Sequence, residues 1–233
     1  MKRIIKISLI LLLLGMAVIA AVPFLKEKRA EKKYENDFKN IQESVIEKKS
    51  DVNGLVKKNK DCIGYVEIPG TTISYPVMQT NKNPDFYLNH DFNRNYSFYG
   101  TPYLSAYCDV EKSDNLIIYG HNINGGKMFG ALEQYKDKEF FNKHRKIYFT
   151  TDKKREYEVF AVMSVNIHEF EYWKFVMARN EKEYDEFVDK VEEHSLLRQG
   201  NKPKYGEQML MLSTCNNGRG DDWRMVVIGK MIV

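Results

Sequence analysis

Between Lys6 and Lys26 the chain runs for 19 residues without a charge, ISLILLLLGMAVIAAVPFL. No other stretch limits the fold so strongly. A helix of that length reaches about 29 Å, close to the hydrocarbon thickness of a bilayer. Met1-Lys2-Arg3 and Lys6 give it a positive flank, the pattern of a signal anchor or a cleavable signal peptide. Val18-Ile19-Ala20 has the small-residue spacing of a cleavage site. The run is long for a signal h-region, however, and an uncleaved single-pass anchor is the preferred reading. Lys26, Lys28, Arg29, Lys32 and Lys33 follow, so a count of basic residues alone would leave the C-terminal side in the cytoplasm. Long C-terminal domains translocate largely regardless of flanking charge. The expectation is therefore a plasma-membrane protein whose domain lies outside the cell, with residues 1–25 as tail and anchor, 26–60 as a helical linker and 61–233 as the domain.

After the anchor, Tyr34, Phe38, Ile41 and Val45 recur at helical spacing among Lys and Glu, which predicts an amphipathic helix from about Glu27 to Lys49. Asp51 to Gly54 punctuates it. From Cys62 the period changes to two. Cys62–Ile68, ahead of the turn signal Pro69-Gly70, and Thr72–Val77 read as strands, as do Asn115–Tyr119, Lys146–Thr150, Tyr157–Val165, Gln208–Thr214 and Met225–Val233. Helical stretches interrupt them at Met128–Phe141, as one helix or two short ones, and at Glu181–Leu197. The second puts Tyr184, Phe187, Val188 and Val191 on one face, with Asn180 and Glu183 as a capping pair. Many short strands with few helices give a mainly β fold, a barrel or sandwich with inserted helices. The net charge of +4 is weak and its lysines are dispersed, which argues against nucleic acid as a partner. It suits a place beside an anionic cell surface.

Three cysteines, Cys62, Cys108 and Cys215, are too few and odd in number for a disulfide framework, though Cys62 and Cys108 could bridge. Most free cysteines are buried structure, but Cys215 has an unusual setting. The apolar run Met209–Leu212 leads into Ser213-Thr214-Cys215, a Gly-containing polar loop follows, and a second apolar run starts at Arg224. That loop, Asn216 to Gly220, is expected to admit water beside the thiol. His121 has a related frame, following the apolar Asn115–Tyr119 and Gly120 in a Gly-rich loop. Each signal is weak alone: a loop histidine is usually ordinary, and an arginine at a strand start is usually a solvated charge. Together they supply what acyl transfer through a thioester needs. A thiolate is the nucleophile, an acid protonates the leaving amine and a base activates the incoming one, and an arginine fork stabilises an oxyanion. The same trio would serve a cysteine peptidase or amidase that releases to water, and a wall-associated binding domain with a structural Cys215 stays open.

At these residues the sequence resembles the sortases. The family's Leu-x-Thr-Cys strand end is here Leu212-Ser213-Thr214-Cys215, its arginine on the next strand is Arg224, and its histidine after a strand and glycine is Tyr119-Gly120-His121. The stretch Tyr75–Phe92, YPVMQTNKNPDFYLNHDF, and the long helix before the cysteine strand are similar to the class B subgroup. The resemblance covers roughly residues 60 to 233 and implies an eight-stranded β-barrel with inserted helices. It implies no cofactor or metal. It further implies that Cys215 attacks a Thr carbonyl in the C-terminal sorting motif of a secreted surface protein, that His121 protonates the departing amine, and that Arg224 holds the substrate or oxyanion. A peptidoglycan precursor amine would resolve the thioester. Tyr119, Leu88, Ser213 and Thr214 match positions that line the family's substrate groove. Arg219 is closer in sequence to Cys215 than Arg224, but its Gly-Arg-Gly setting reads as loop.

Overall fold

The computed structural model describes residues 2–46, 52–216 and 218–232. The chain divides into two compact units, Met1–Glu47 and Lys48–Val233. In the first, helix α1 runs unbroken over Lys2–Ile46, with Pro23 inside it. The two predicted helices are thus one, as suits a stretch rich in Leu, Ala, Glu and Lys. Along it Ile7, Leu11, Leu12, Val18 and Ile19 are all more than half exposed. Among the described residues no helix is long and apolar enough to cross a membrane. The side chains of residues 8–10 and 13–14, within the apolar run, lie outside the described set, as do those of Tyr34, Phe38, Ile41 and Val45.

The second unit opens with a short helix, α2 (Val52–Lys58), whose Val52 and Leu55 are buried. Asn53-Gly54, a break by its sequence, lies inside it. Eleven strands follow in the described residues: β1 (Cys62–Glu67), β2 (Ser74–Met78), β3 (Tyr103–Leu104), β4 (Asn115–Tyr119), β5 (Asn122–Ile123), β6 (Lys127–Met128), β7 (Lys146–Thr150), β8 (Lys154–Asn166), β9 (Ser195–Arg198), β10 (Met209–Cys215) and β11 (Trp223–Met231). The main sheet has the order β11-β10-β4-β3-β2-β1-β7-β8-β9, and β11 also pairs with β8. That pairing closes the eight strands from β11 round to β8 into a barrel and leaves β9 outside the ring. Closure removes the exposed edges that a sheet of this size would otherwise present. Most pairs are antiparallel, but β2–β3 and β4–β10 are parallel.

The central strands are buried along consecutive positions, on both faces of the sheet. Val66, Ile117, Ile118, Phe149, Val162, Leu210, Leu212 and Val227 are fully buried. Each such side chain stabilises the fold by about 1.5–3 kcal/mol relative to exposure. Glycine admits a close approach at Gly229, where a Cβ would come within 2.8 Å of the Tyr157 Cβ across the β11–β8 ladder. Met128–Phe141 resolves into the 3-10 segment Phe129–Lys136 and helix α3 (Lys138–Lys143), capped by Asp137. Helix α4 (Glu181–Glu193) starts at Asn180, whose side chain accepts from the Glu183 N–H, and buries Tyr184, Phe187, Val188 and Val191, as the spacing predicts. It ends earlier than the sequence suggests, because Ser195–Arg198 pair with β8 as β9. Cys62 and Cys108 are both free and buried, not bridged.

Candidate active site

Three strand ends meet at one rim of the barrel. β4 lies parallel to β10 with Tyr119 opposite Ser213, and the Gly120 N–H donates to the Ser213 carbonyl at 3.1 Å. The Thr214 hydroxyl donates to the Gly120 carbonyl at 2.7 Å, tying the strand that ends in Cys215 to the residue before His121. On the other side β11 runs antiparallel to β10 with Cys215 directly opposite Arg224. Such partners project to the same face with Cβ atoms about 4.5–5.5 Å apart. Gly120 is required by space: a Cβ there would meet the Phe129 ring at 2.8 Å.

His121 leaves the sheet at this point. Its Nε2 lies 2.7 Å from the Leu88 carbonyl. A carbonyl only accepts, so Nε2 carries the hydrogen. The Phe98 ring lies nearly parallel to the imidazole at 6.4 Å. Leu88 ends the 3-10 turn Phe86–Leu88, and Gly100 adopts a left-handed φ of +59° where a Cβ would collide with the Leu88 carbonyl. The loop thus needs glycine at 100 to keep that carbonyl where His121 meets it.

A groove of about 550 Å³ collects Cys215, His121, Arg224, Tyr119, Leu88, Ser213 and Thr214 along its walls. All seven residues singled out from sequence are therefore brought together, although His121 and Cys215 are 94 positions apart. Cys215 is half-buried. Arg224 donates from Nη1 to the carbonyls of Asp221 at 2.5 Å and Trp223 at 3.1 Å. Arg219 instead stacks its guanidinium over the Trp223 ring at 4.6 Å and does not line the groove. Asp222 faces His168 at 3.7 Å.

The groove has walls that the sequence did not reveal. Asp85, Tyr103, Tyr107 and Trp173 also line it. The loop after Cys215 is polar, as expected, but aromatic side chains from distant parts of the chain line the same groove. Tyr103 donates from its hydroxyl to Asp85 at 3.1 Å, and burial with that carboxylate pushes its phenol well up. Burial also pushes Tyr119 up. Tyr172 shares a 2.7 Å hydrogen bond with the Ser213 hydroxyl and is raised by burial to about 12, so it stays a neutral phenol beneath the cysteine strand. Only Asp85 carried a local signal, its place within the Tyr75–Phe92 stretch. The others come from a two-residue strand, a 3-10 turn and a loop, all too short to show a period. Among the described residues no group of His, Cys, Asp and Glu could hold a metal ion.

A sortase domain model matches residues 66–232. The chain belongs to the sortase family. Within it the relatives are of class B. Sortase B of Listeria monocytogenes is 30% identical over 189 residues, spanning 80% of this chain and 76% of the relative. Sortase B of Staphylococcus aureus is 26% identical over 241 residues, spanning 100% of this chain and 98% of the relative. The fold agrees: a structure described as a Staphylococcus aureus sortase B–substrate complex superposes with a TM-score of 0.78 at 26% identity, covering 87% of this chain and 97% of that one. The chain is thus a class B sortase, a cysteine transpeptidase with the closed eight-stranded barrel of its family.

Proposed function

We propose that this sortase uses Cys215 to cut a C-terminal sorting motif of secreted surface proteins after a threonine and passes the acyl group to an amine of a peptidoglycan precursor. One observation carries the assignment of residues: the half-buried Cys215, His121 and Arg224 line one groove. The Cys215 thiolate adds to the threonine carbonyl carbon, and the oxyanion forms beside Arg224, its strand partner. Collapse breaks the Thr–X bond, and the leaving nitrogen takes a proton from His121, leaving a thioester. An incoming amine then gives up a proton to His121, attacks the thioester and restores the thiolate. Tyr119, Leu88, Ser213 and Thr214 shape the bed for the motif. The pairing with a sorting-motif substrate is supported by the likeness to the Staphylococcus aureus complex.

The same proposal places the enzyme on the plasma membrane with residues 1–25 as a single-pass anchor and the barrel outside the cell. Its support is the uncharged run Ile7–Leu25 and the exposed apolar side chains along α1. The test offers the full-length protein a panel of sorting-motif peptides, with and without an added amine. Threonine-linked transfer product is expected only with amine present and only with Cys215 intact; turnover by Cys215→Ala would sink the assignment. Protease added to intact cells is expected to reach the barrel.

A further inference from the structure

An asparagine follows both the proposed nucleophile and the proposed acid/base: Asn122 follows His121 and Asn216 follows Cys215. The two asparagines converge on one element. Asn122 donates from Nδ2 to the Cys215 carbonyl at 2.7 Å and to Glu133 Oε1 at 3.1 Å. Glu133 pairs through Oε2 with Lys136 one turn along the 3-10 segment Phe129–Lys136. Lys136 in turn donates from Nζ to Asn216 Oδ1 at 3.2 Å. Asn216 is fully buried, with its Nδ2 donating to the Ser164 hydroxyl at 2.7 Å inside β8. A continuous polar chain thus runs from the histidine loop through Glu133 and Lys136 to the residue after the nucleophile and on into the barrel wall.

The first bond in that chain is a direct tie between the two catalytic segments. The carboxamide of Asn122 holds the main chain of Cys215 itself, and Glu133 fixes the carboxamide by accepting from the same Nδ2. The β4–β10 pairing ends at Ser213, so the Cys215 carbonyl lies past the last register pair with β4. Here side chains supply what the sheet does not. The segment carrying Glu133 and Lys136 is held in turn: Phe129 N–H donates to the His121 carbonyl at 2.9 Å, and at Gly130 any Cβ would collide with the Ile123 carbonyl.

We propose that Asn122 and Glu133, with Lys136 and Asn216 behind them, are positioning residues that set the spacing between His121 and Cys215. None of the four lines the substrate groove, so they act on the reaction and not on peptide binding. The inference rests on Cys215 and His121 as the reacting pair. Productive transfer needs both at a near-attack distance, and a misplacement of 1 Å can cost about a hundredfold.

The test compares kcat, KM and thermal midpoint for Asn122→Ala, Glu133→Ala and Glu133→Gln with a sorting-motif peptide and added amine. Asn122→Ala and Glu133→Ala are expected to lower kcat by roughly tenfold or more with KM little changed, within the range that misplacement of reacting groups produces. Glu133→Gln keeps an amide oxygen to accept from Asn122 and is expected to recover most of the rate, although it loses the charge facing Lys136. A merely structural role would lower the midpoint and leave kcat per folded molecule alone, and that result would overturn the proposal. So would a loss confined to KM, or equal losses in Glu133→Gln and Glu133→Ala. If Asn122→Ala does not fold, the half-exposed Glu133 pair of variants decides alone. Activity in Cys215→Ala would instead mark failure of the underlying catalytic assignment, whatever the Glu133 variants do.

Discussion

The two walls of the groove are built by different means. Cys215, Arg224, Ser213 and Tyr119 sit on strand ends, where the ladders of β10 with β11 and β4 fix each one against its neighbour. Leu88, His121, Asp85 and Tyr107 reach the groove from loops, held by single bonds such as that from His121 to the Leu88 carbonyl. A one-residue slip of β10 would part Cys215 from Arg224 and turn the thiol to the other face. Nothing so global guards the loop wall. There a few side-chain contacts, and glycines at 100 and 120, decide where the imidazole stands. The proposed nucleophile and oxyanion partner are thus placed by the fold, whereas the proposed acid/base is placed by local contacts that can shift at small cost.

The largest effect should come from the strand wall. Arg224→Ala is expected to lower kcat on the order of a hundredfold or more, the scale seen when an oxyanion donor is lost. Arg224→Lys should recover little, since one ammonium cannot reproduce a planar fork. Arg219→Ala should be mild, because its guanidinium covers the Trp223 ring away from the groove. Peptide kinetics on the three variants check this, and a dominant Arg219 would undo the strand-wall account. The loop wall should be softer. Gly100→Ala forces a left-handed residue to carry a Cβ against the Leu88 carbonyl. That shift should loosen His121 and lower kcat by roughly tenfold, less than the hundredfold that a full 1 Å misplacement can cost. A thermal melt run beside the kinetics separates lost placement from lost fold. An effect equal to that of Arg224→Ala would erase the distinction between the walls.

The sequence made the strand wall readable and left most of the loop wall dark. Apolar runs on both sides of Asn216–Gly220 mark two strands around a loop, and their antiparallel pairing in the fold brings Arg224 beside Cys215. Asn115–Tyr119 is equally plain as a strand. Its parallel pairing with β10 joins segments more than 90 positions apart, and no local period encodes that. Leu88 and Tyr119 entered through family resemblance, not through spacing. Tyr107 and Trp173 were missed because each is one aromatic in an irregular stretch. β3 has only two residues, too few for alternation to show. β9 was read as the tail of α4 because Leu196 and Leu197 continue an apolar pattern; pairing with β8 decided otherwise.

The smallest effect concerns the thiols away from the groove. Cys62 donates to the Gly64 carbonyl and Cys108 to the Asn115 carbonyl, and both are buried. Burial pushes their thiols up, to about 12 for Cys62 and about 11 for Cys108. A small alkylating reagent at pH 8 should therefore modify one thiol per native chain, Cys215, and three once the chain is unfolded; a second native equivalent would mean that the barrel wall opens more readily than its ladders imply. The same burial has a linked consequence. Below pH 9 the Cys62 thiol is neutral in both folded and unfolded chains and gives no pH dependence. Above pH 9 the unfolded chain ionises and the folded chain does not, until about pH 12. The unfolded state then binds fewer protons, so stability falls as pH rises through that window. Cys62→Ala removes this loss while leaving the buried tyrosines in place. Its thermal midpoint should lie below that of the native chain at pH 8, from the lost packing, and the gap should narrow by pH 10.5, where the linked term reaches at most about 2 kcal/mol. A constant gap would mean that Cys62 meets water in the folded state and that this part of the barrel is no drier than the loop wall of the groove.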